Sequence, residues 1–179
     1  MTKTVSDAAE PGPLVVLVGP PGAGKSRVGQ EVALRLQAQL RDTDADVEAR
    51  AGRPVSEIFV DLGEPVFREW ERVAVADALA EHTGVLALGG GAVLDAGTRA
   101  LLRGRPVAYL RVGLADALRR VGLNRDRPLL MGNVRGRWLG LMEQRRPFYE
   151  EVARWTVDTD GRPPAEVADE VVDLIAGSP

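Results

Sequence analysis

The segment from Gly19 to Ser26 has the residue types and the spacing that carry most chemistry in this chain. It reads Gly-Pro-Pro-Gly-Ala-Gly-Lys-Ser, fits the pattern G-x-x-x-x-G-K-[ST], and lies between an apolar run and an amphipathic segment. Glycines let backbone N–H groups surround phosphate oxygens, and the helix that follows turns its positive end toward the same anion. We expect Lys25 to reach the outer phosphates and the Ser26 hydroxyl to ligate Mg²⁺. Because pattern and context agree, a plain Gly/Pro turn is the weaker interpretation.

Two carboxylates, Asp42 and Asp44, follow the second predicted strand, beside the phosphate-binding segment. One of them can hold the Mg²⁺ shell while the other orients or deprotonates an acceptor hydroxyl. The alternative is that Asp44 or Asp46 merely caps the next helix. The residues alone leave both interpretations open.

Three consecutive glycines, Gly89, Gly90 and Gly91, come at the end of the predicted central strand. Without side chains they let a small ligand approach the bare backbone. A tight turn is the commoner reason for such a run, so the triplet by itself is a weak signal.

Two arginines are candidates for binding an anionic group. Arg68 lies three residues before Glu71, which can orient it by an ion pair on one helix face, and Arg145 stands beside Arg146 just before a proline. An isolated arginine on a helix is more often a solvated surface residue. These positions therefore gain weight only in combination with the others.

The polar stretch from Leu123 to Val134 is a predicted loop that contains Arg125 and Arg127. A lid in this position would exclude water from bound nucleotide, and an arginine delivered by it would neutralise charge on the transferring phosphoryl group. A mobile surface loop is the alternative.

The composition of the 179 residues excludes several classes of protein. There is no cysteine and only one histidine, which rules out disulfides, zinc–thiolate sites and multi-histidine metal cages. A net charge of −3 with 4% aromatic residues argues against a nucleic-acid surface, and no apolar run is long enough to cross a membrane. We therefore expect a cytoplasmic protein with one domain over residues 14–176, preceded by a disordered tail over residues 1–13.

Apolar runs alternate with helical patterns, which predicts a parallel sheet covered by helices on both faces, with ligands at the carboxyl ends of the strands. The first helix is expected from Lys25 to about Ala38, and another helix is capped by Asp95. A further helix is expected from Arg137 to Val152, with Pro147 kinking or ending it.

In this order, the motifs resemble the shikimate kinase family. The resemblance covers about Val15 to Ile175 and includes the phosphate-binding segment, Asp42-Thr43-Asp44, Phe67-Arg68, the Gly89 to Gly91 triplet, Arg127-Pro128-Leu129-Leu130, Arg145-x-Pro147-x-Tyr149 and Val157-Asp158-Thr159. Many families share the first motif, whereas the Asp-Thr-Asp, Gly-Gly-Gly and Arg-Pro-Leu-Leu combination is far more specific.

The resemblance implies a three-layer α/β/α P-loop kinase fold with a five-stranded parallel sheet in the order 2-3-1-4-5 and a lid over about residues 123–134. It implies transfer of a phosphoryl group from ATP to the 3-hydroxyl of shikimate in aromatic amino-acid biosynthesis, with Mg²⁺ as cofactor. Shikimate and ATP are then the partners, without nucleic acid or membrane, and we expect a monomer.

The resemblance also assigns a role to each matching position. Lys25, Asp44 and Arg127 are the expected catalytic residues; Asp44, Arg68, Gly89, Gly90, Gly91 and Arg145 are expected to bind shikimate; Gly22, Ala23, Gly24, Lys25, Ser26, Arg27, Arg120, Arg127, Arg162 and Pro164 are expected to bind nucleotide; Ser26 and Asp42 are expected to hold the metal. Arg27 departs from the family, which usually has a second hydroxyl residue there, and the approach to Asp42 lacks the usual glycine.

Two rival interpretations remain open from the residues. A gluconate kinase of the same fold would have little need for two arginines that converge on a carboxylate. A nucleotide-binding regulator without catalysis would keep Lys25 and Ser26 but would have little use for Asp44, Arg68 and Arg145 together.

Overall fold

Five parallel strands form the centre of the molecule. The computed structural model describes residues 11–122 and 132–179. The strands are β1 (Val15–Val18), β2 (Leu40–Asp42), β3 (Val85–Ala87), β4 (Val107–Arg111) and β5 (Trp155–Asp158). Their order, β2-β3-β1-β4-β5, confirms the predicted order 2-3-1-4-5. Strand β1 is apolar and buried at every position because it lies between two other strands with helices on both faces.

Eight α-helices surround the sheet in the described parts of the chain. They are α1 (Lys25–Arg35), α2 (Thr43–Ala51), α3 (Val55–Leu62), α4 (Glu64–Glu81), α5 (Ala96–Leu102), α6 (Leu114–Val121), α7 (Val134–Val152) and α8 (Pro164–Ala176). A 3₁₀ turn, Ala92–Leu94, follows the triple glycine. The predicted cap of α5 is confirmed, since Asp95 Oδ2 accepts a hydrogen bond of 2.7 Å from the Thr98 backbone N–H.

Helix α1 ends at Arg35, earlier than the predicted Ala38. The chain turns at Gln37, whose φ of 52° is left-handed. The N–H of Gln37 donates to Leu34 O and the N–H of Ala38 donates to Ala33 O, which is the pattern of a Schellman cap. Gln37 therefore occupies a position that usually carries glycine, and the amphipathic pattern beyond Arg35 did not reveal the stop.

Helix α7 begins at Val134, three residues before the predicted start, because the Asn133 side chain caps it by accepting from the Gly136 N–H at 3.0 Å. Pro147 was expected to kink or end the helix. It does not end it, since α7 continues to Val152. Pro147 is exposed, so the break in the backbone hydrogen-bond ladder faces solvent.

The apolar side chains form two separate clusters. The larger one packs around the sheet, and a smaller one, made of Val47, Ile58, Phe67 and Ala74, joins helices α2, α3 and α4. The second cluster supports the part of the molecule that carries Arg68. None of the helices in residues 11–122 and 132–179 is long and apolar enough to span a bilayer.

Candidate active site

The phosphate-binding segment forms a loop whose backbone carbonyl groups accept hydrogen bonds from side chains of the protein. Lys25 Nζ donates to Gly19 O at 2.7 Å and to Pro20 O at 3.2 Å. Gly22 and Gly24 have φ values of 88° and 85°, which disfavour any residue with a side chain. Gly22 also packs against Ala117 of α6 so closely that a side chain would collide with the helix backbone.

Helix α1 starts directly from this loop without a side-chain cap. Gly24 is its N-cap residue, and no acidic residue lies in the first turn. Within the described residues, the backbone N–H groups of Gly22, Gly24 and Ser26 donate to no protein acceptor. Uncapped N–H groups at the positive end of a helix are suited to an anion such as phosphate.

A cavity of about 510 Å³ lies in front of this helix, at the carboxyl ends of the strands. Its walls include most of the predicted nucleotide and metal residues, which are Gly22, Ala23, Gly24, Lys25, Ser26, Arg27, Asp42, Arg120, Arg162 and Pro164. They also include Asp44 and Gly90, which were predicted to bind shikimate. A second cavity of about 410 Å³ includes Arg68, Glu71 and Gly91. Gly90 lines the first cavity and Gly91 the second, so the two spaces meet at the triple glycine.

Ser26 and Asp42 lie together at the floor of the first cavity. Ser26 Oγ donates to Asp42 Oδ2 at 3.2 Å, while Asp42 Oδ1 caps α2 by accepting from the Asp44 N–H at 2.9 Å. The helix cap is therefore Asp42, and the alternative that Asp44 or Asp46 caps this helix is wrong. One hydroxyl and one carboxylate oxygen form a hard-oxygen pair that suits Mg²⁺, which keeps most of its waters in such sites.

Asp44 is placed where its charge is disfavoured. Its Oδ1 is buried without a hydrogen-bond partner. Burial first, and then the neighbouring carboxylates of Asp42 and Glu71, raise the pKa of Asp44 to about 7, although Lys25 and Arg68 lower it. A carboxyl group with a pKa near neutrality is suited to exchange protons.

None of the three glycines has a left-handed φ, and Gly89 and Gly91 are required for space. A side chain on Gly89 would lie 2.5 Å from Asp44 Oδ1 and 2.6 Å from Glu71 Oε1. One on Gly91 would collide with the guanidinium of Arg68, and one on Gly90 would lie 3.5 Å from Arg145 Nη1. The tight turn is present as well, since the Ala92 N–H donates to Gly89 O at 3.0 Å, so the triplet combines a turn with close approach of side chains.

Arg68 is a half-buried residue that is held in place by carboxylates. It forms ion pairs with Glu71 at 2.7 Å and Glu64 at 3.2 Å, and its guanidinium lies 5.2 Å from the centre of the Phe67 ring. Glu71 is only 3% exposed, and burial raises its pKa although Arg68 lowers it. The bridge to Glu71 that the spacing predicted is thus present.

The two adjacent arginines of α7 face in different directions. Arg145 is buried and its Nε has no hydrogen-bond partner, whereas Arg146 is exposed. Arg145 also forms no salt bridge within 4.0 Å with a described residue. Glu71 and Tyr149 interact with this charge, but a buried cation without a carboxylate in direct contact is suited to an anionic ligand.

On the opposite side of the first cavity, Arg120 joins α6 to the loop after β5. Its guanidinium donates to Gly22 O at 3.1 Å and to Thr159 Oγ1 at 3.0 Å. Arg162 donates to Glu170 and to Asp158 O, each at 2.7 Å, so it is held by the protein near the start of α8 at Pro164. Arg127 lies outside the described residues.

Three residues that contact the site were not assigned a role from the sequence. Thr159 is buried, and its hydroxyl oxygen accepts a hydrogen bond from Arg120. Trp138 donates to Pro21 O, and Tyr149 donates to Gly90 O. The sequence carried only an indirect signal, since Thr159 and Tyr149 lie within motifs of the resemblance. Trp138 gave none.

The parallel sheet, the glycine loop with Lys25 and Ser26, and the buried Asp44 beside it define a P-loop kinase of small molecules. A family model described as shikimate kinase matches residues 21–176. A shikimate kinase from Streptomyces avermitilis is 59% identical over 163 residues, which is 91% of this chain and 95% of the relative. The chain therefore belongs to the shikimate kinase family and is an enzyme of that kind.

Solved structures agree with this assignment. The structure of a shikimate kinase from Acinetobacter baumannii in complex with shikimate has a TM-score of 0.88 and 34% identity, and the match covers 93% of each chain. A gluconokinase from Sinorhizobium meliloti has a TM-score of 0.60 at 22% identity, with 93% of each chain covered, which shows a shared fold alone.

Proposed function

We propose that this chain transfers the γ-phosphoryl group of ATP to the 3-hydroxyl of shikimate, with Asp44 as the base. The observation that carries the proposal is the convergence of three side chains on three consecutive glycines. Asp44 lies against Gly89, Arg145 near Gly90 and Arg68 against Gly91. A carboxylate base with two guanidinium groups fits an acceptor that has hydroxyls at one end and a carboxylate at the other.

In this arrangement, Arg68 and Arg145 bind the shikimate carboxylate. Charge-assisted bonds from two guanidinium groups orient the ring and satisfy the buried charge of Arg145. Glu71 holds Arg68 in position through the 2.7 Å ion pair. The acceptor hydroxyls then lie toward Asp44, between the arginines and the phosphate loop.

Asp44 accepts the proton of the attacking hydroxyl as that oxygen bonds to the γ-phosphorus. The bond between this phosphorus and the bridging oxygen breaks, and ADP leaves with that electron pair. Lys25 and the open N–H groups at the start of α1 stabilise the charge that develops on the phosphate oxygens. The products are shikimate 3-phosphate and ADP, with the proton on Asp44.

Mg²⁺ would be held by the Ser26 hydroxyl and, through water, by Asp42. The pair fits because Asp42 Oδ2 lies 3.2 Å from Ser26 Oγ and its other oxygen is used in the helix cap. When bound, the ion supplies positive charge to the phosphate oxygens. Asp42 keeps α2, and with it Asp44, in place.

Nucleotide binding is the remaining part of the proposal. Arg120, Arg162 and Pro164 lie on the wall of the first cavity away from Asp44, where they suit the base and sugar of ATP. Arg127 and the lid over residues 123–134 keep the role that the resemblance implies, as a cation delivered to the transferring group.

A coupled assay of ADP release with ATP, Mg²⁺ and a set of acceptors tests the function. We expect turnover with shikimate on the order of 1–100 s⁻¹, the range typical of kinases. Gluconate is the control acceptor, since it separates this reaction from that of a related fold. Equal ADP release with and without shikimate would contradict the proposal.

A further inference from the structure

One face of helix α7 contacts both halves of the site. The buried residues of this face are Trp138, Met142, Arg145, Tyr149 and Val152, spaced alternately by three and four residues. Trp138 Nε1 donates to Pro21 O in the phosphate loop at 2.9 Å. Eleven residues further on, the Tyr149 hydroxyl donates to Gly90 O in the triple glycine at 2.5 Å.

The first of these bonds orients a donor of the phosphate loop. In a trans peptide the C=O and the next N–H point in opposite directions, so holding Pro21 C=O also sets the direction of the Gly22 N–H. Gly22, with a φ of 88°, has no side chain to hinder a rotation of this peptide. Its N–H donates to no described protein group and is open to phosphate.

The hydrogen bond from Tyr149 orients a backbone donor at the acceptor side of the site. Tyr149 holds Gly90 C=O and thereby sets the direction of the Gly91 N–H, which donates to no described protein group. Flanking glycines again offer no side chain that restricts the peptide. The two bonded carbonyls are anchored to one helix, at points about 16 Å apart along its axis.

We propose that α7 aligns the nucleotide loop with the acceptor wall, and that Trp138 and Tyr149 are positioning residues for ATP and shikimate respectively. The inference rests on the proposed function. Arg145 lies between the two residues on the same face, so the helix that sets the spacing also carries a substrate-binding cation. Each residue acts through a backbone carbonyl and touches neither substrate.

The Trp138→Phe variant tests the nucleotide half, because it keeps an aromatic ring but loses the N–H donor. We expect the KM for ATP and the Kd of MgADP to rise about 3- to 10-fold, the range for loss of one hydrogen bond, with the shikimate KM unchanged. Trp155→Phe is the matched control, since it makes the same chemical change in β5, at a residue that lines neither cavity. An unchanged Kd for MgADP in Trp138→Phe would overturn this half.

Tyr149→Phe tests the acceptor half and should show the opposite pattern, with a shikimate KM about 3- to 10-fold higher and an unchanged ATP KM. Tyr109→Phe is a close control, because Tyr109 stacks on Tyr149 at 5.1 Å and its hydroxyl is buried without a partner. Both KM values rising together in Tyr149→Phe would indicate a merely structural role and overturn this half.

Fluorescence gives a readout that does not depend on turnover. The chain has three tryptophans, so the Trp70→Phe/Trp155→Phe variant leaves only Trp138. We expect its emission to shift on addition of MgADP and not on addition of shikimate alone; no shift with MgADP would overturn the inference. Failure of the proposed function is distinguishable, since it would appear as wild-type protein without shikimate-dependent ADP release.

Discussion

Asp44 combines two properties that oppose each other in a folded protein. As the proposed base it must ionise, yet it is half-buried beside Asp42 and Glu71, and its buried Oδ1 has no hydrogen-bond partner. A buried acceptor without a partner destabilises the fold, and more so when it is charged. The raised pKa is the physical expression of this conflict, and it has consequences for both activity and stability.

The activity should follow the ionisation of Asp44. Because its pKa is about 7, the free enzyme holds the base protonated at lower pH. We expect kcat/KM for shikimate to fall about tenfold per pH unit below 7 and to level off above it. Steady-state rates across pH 5 to 9 measure this, and a flat profile through pH 6 would contradict the role of Asp44.

Glu71→Gln gives a second check on the same group. Removing this negative neighbour lowers the pKa of Asp44, so the fall of kcat/KM for shikimate should begin at a lower pH than in the parent enzyme. The Asp46→Asn variant is a control, because Asp46 pairs with Arg41 away from Asp44.

The Asp44→Asn variant should be inactive and more stable at high pH. The folded pKa of about 7 lies above the usual 3.8, so the folded state binds more protons than the unfolded state between pH 4 and 7. The free energy of unfolding therefore falls as the pH rises through this window. At pH 8 we expect the variant to gain about 1–3 kcal/mol, shrinking toward zero at pH 4. Urea denaturation at both pH values measures this, and a less stable variant at pH 8 would contradict it.

At the scale of elements, two helices bring the acceptor cations together from distant parts of the chain. Helix α4 carries Arg68 and Glu71, and α7 carries Arg145 on its buried face. Both helices present these residues to the end of β3, where the glycines leave room for them. In the proposed mechanism, acceptor binding therefore depends on the placement of these two helices more than on loop structure.

We expect Arg68→Ala and Arg145→Ala each to weaken shikimate binding about 10- to 100-fold, since a charge-assisted hydrogen bond contributes about 1.5–3 kcal/mol. Nucleotide affinity should change little, because neither residue lines the first cavity. Arg146→Ala is the matched control on the exposed side of α7. Calorimetry with shikimate measures the three variants, and a loss in Arg146→Ala alone would show that the helix faces the site differently.

The elements differ in how far the sequence predicted them. Helix α4 has clear local signals in the sequence, with glycine before it and a proline in its first turn. The predicted end of α1 was wrong, since an amphipathic pattern does not reveal that Gln37 adopts a left-handed conformation. The roles of Trp138 and Arg120 depend on contacts across 117 and 98 residues, which no local spacing encodes. Phosphate-loop residues were predictable because their chemistry needs a contiguous pattern.

At the scale of the whole molecule, positive side chains are concentrated at the site although the net charge is negative. The net charge is −3, yet both proposed substrates are anions. Lys25, Arg27, Arg120 and Arg162 line the first cavity, so a local positive field exists within a negative protein. The apolar core is divided as well, because the small cluster joins α2 and α3 only to α4, the helix that carries Arg68 and Glu71, whereas the large cluster packs around the sheet.

This division predicts that the acceptor side can be destabilised by itself. Ile58 is fully buried in the small cluster, and Ile58→Ala should cost about 2–5 kcal/mol. We expect hydrogen exchange to accelerate first in α2 to α4 and shikimate affinity to fall more than ATP affinity. Val171→Ala, in the large cluster, is the control. Equal loss of both affinities in Ile58→Ala would contradict separate clusters.

The left-handed conformation of Gln37 identifies a substitution that should increase the stability of the fold. A residue with a side chain is strained by about 1–2 kcal/mol in this conformation, whereas glycine adopts it freely. Glycine also makes the unfolded chain more flexible, so Gln37→Gly should raise the free energy of unfolding by roughly 0.5–1 kcal/mol. Thermal denaturation measures the gain, and steady-state rates should remain those of the parent, because Gln37 lies at neither cavity. Such a background would offset part of the stability lost in truncations such as Arg145→Ala, so that their effects on binding are measured on a larger folded fraction.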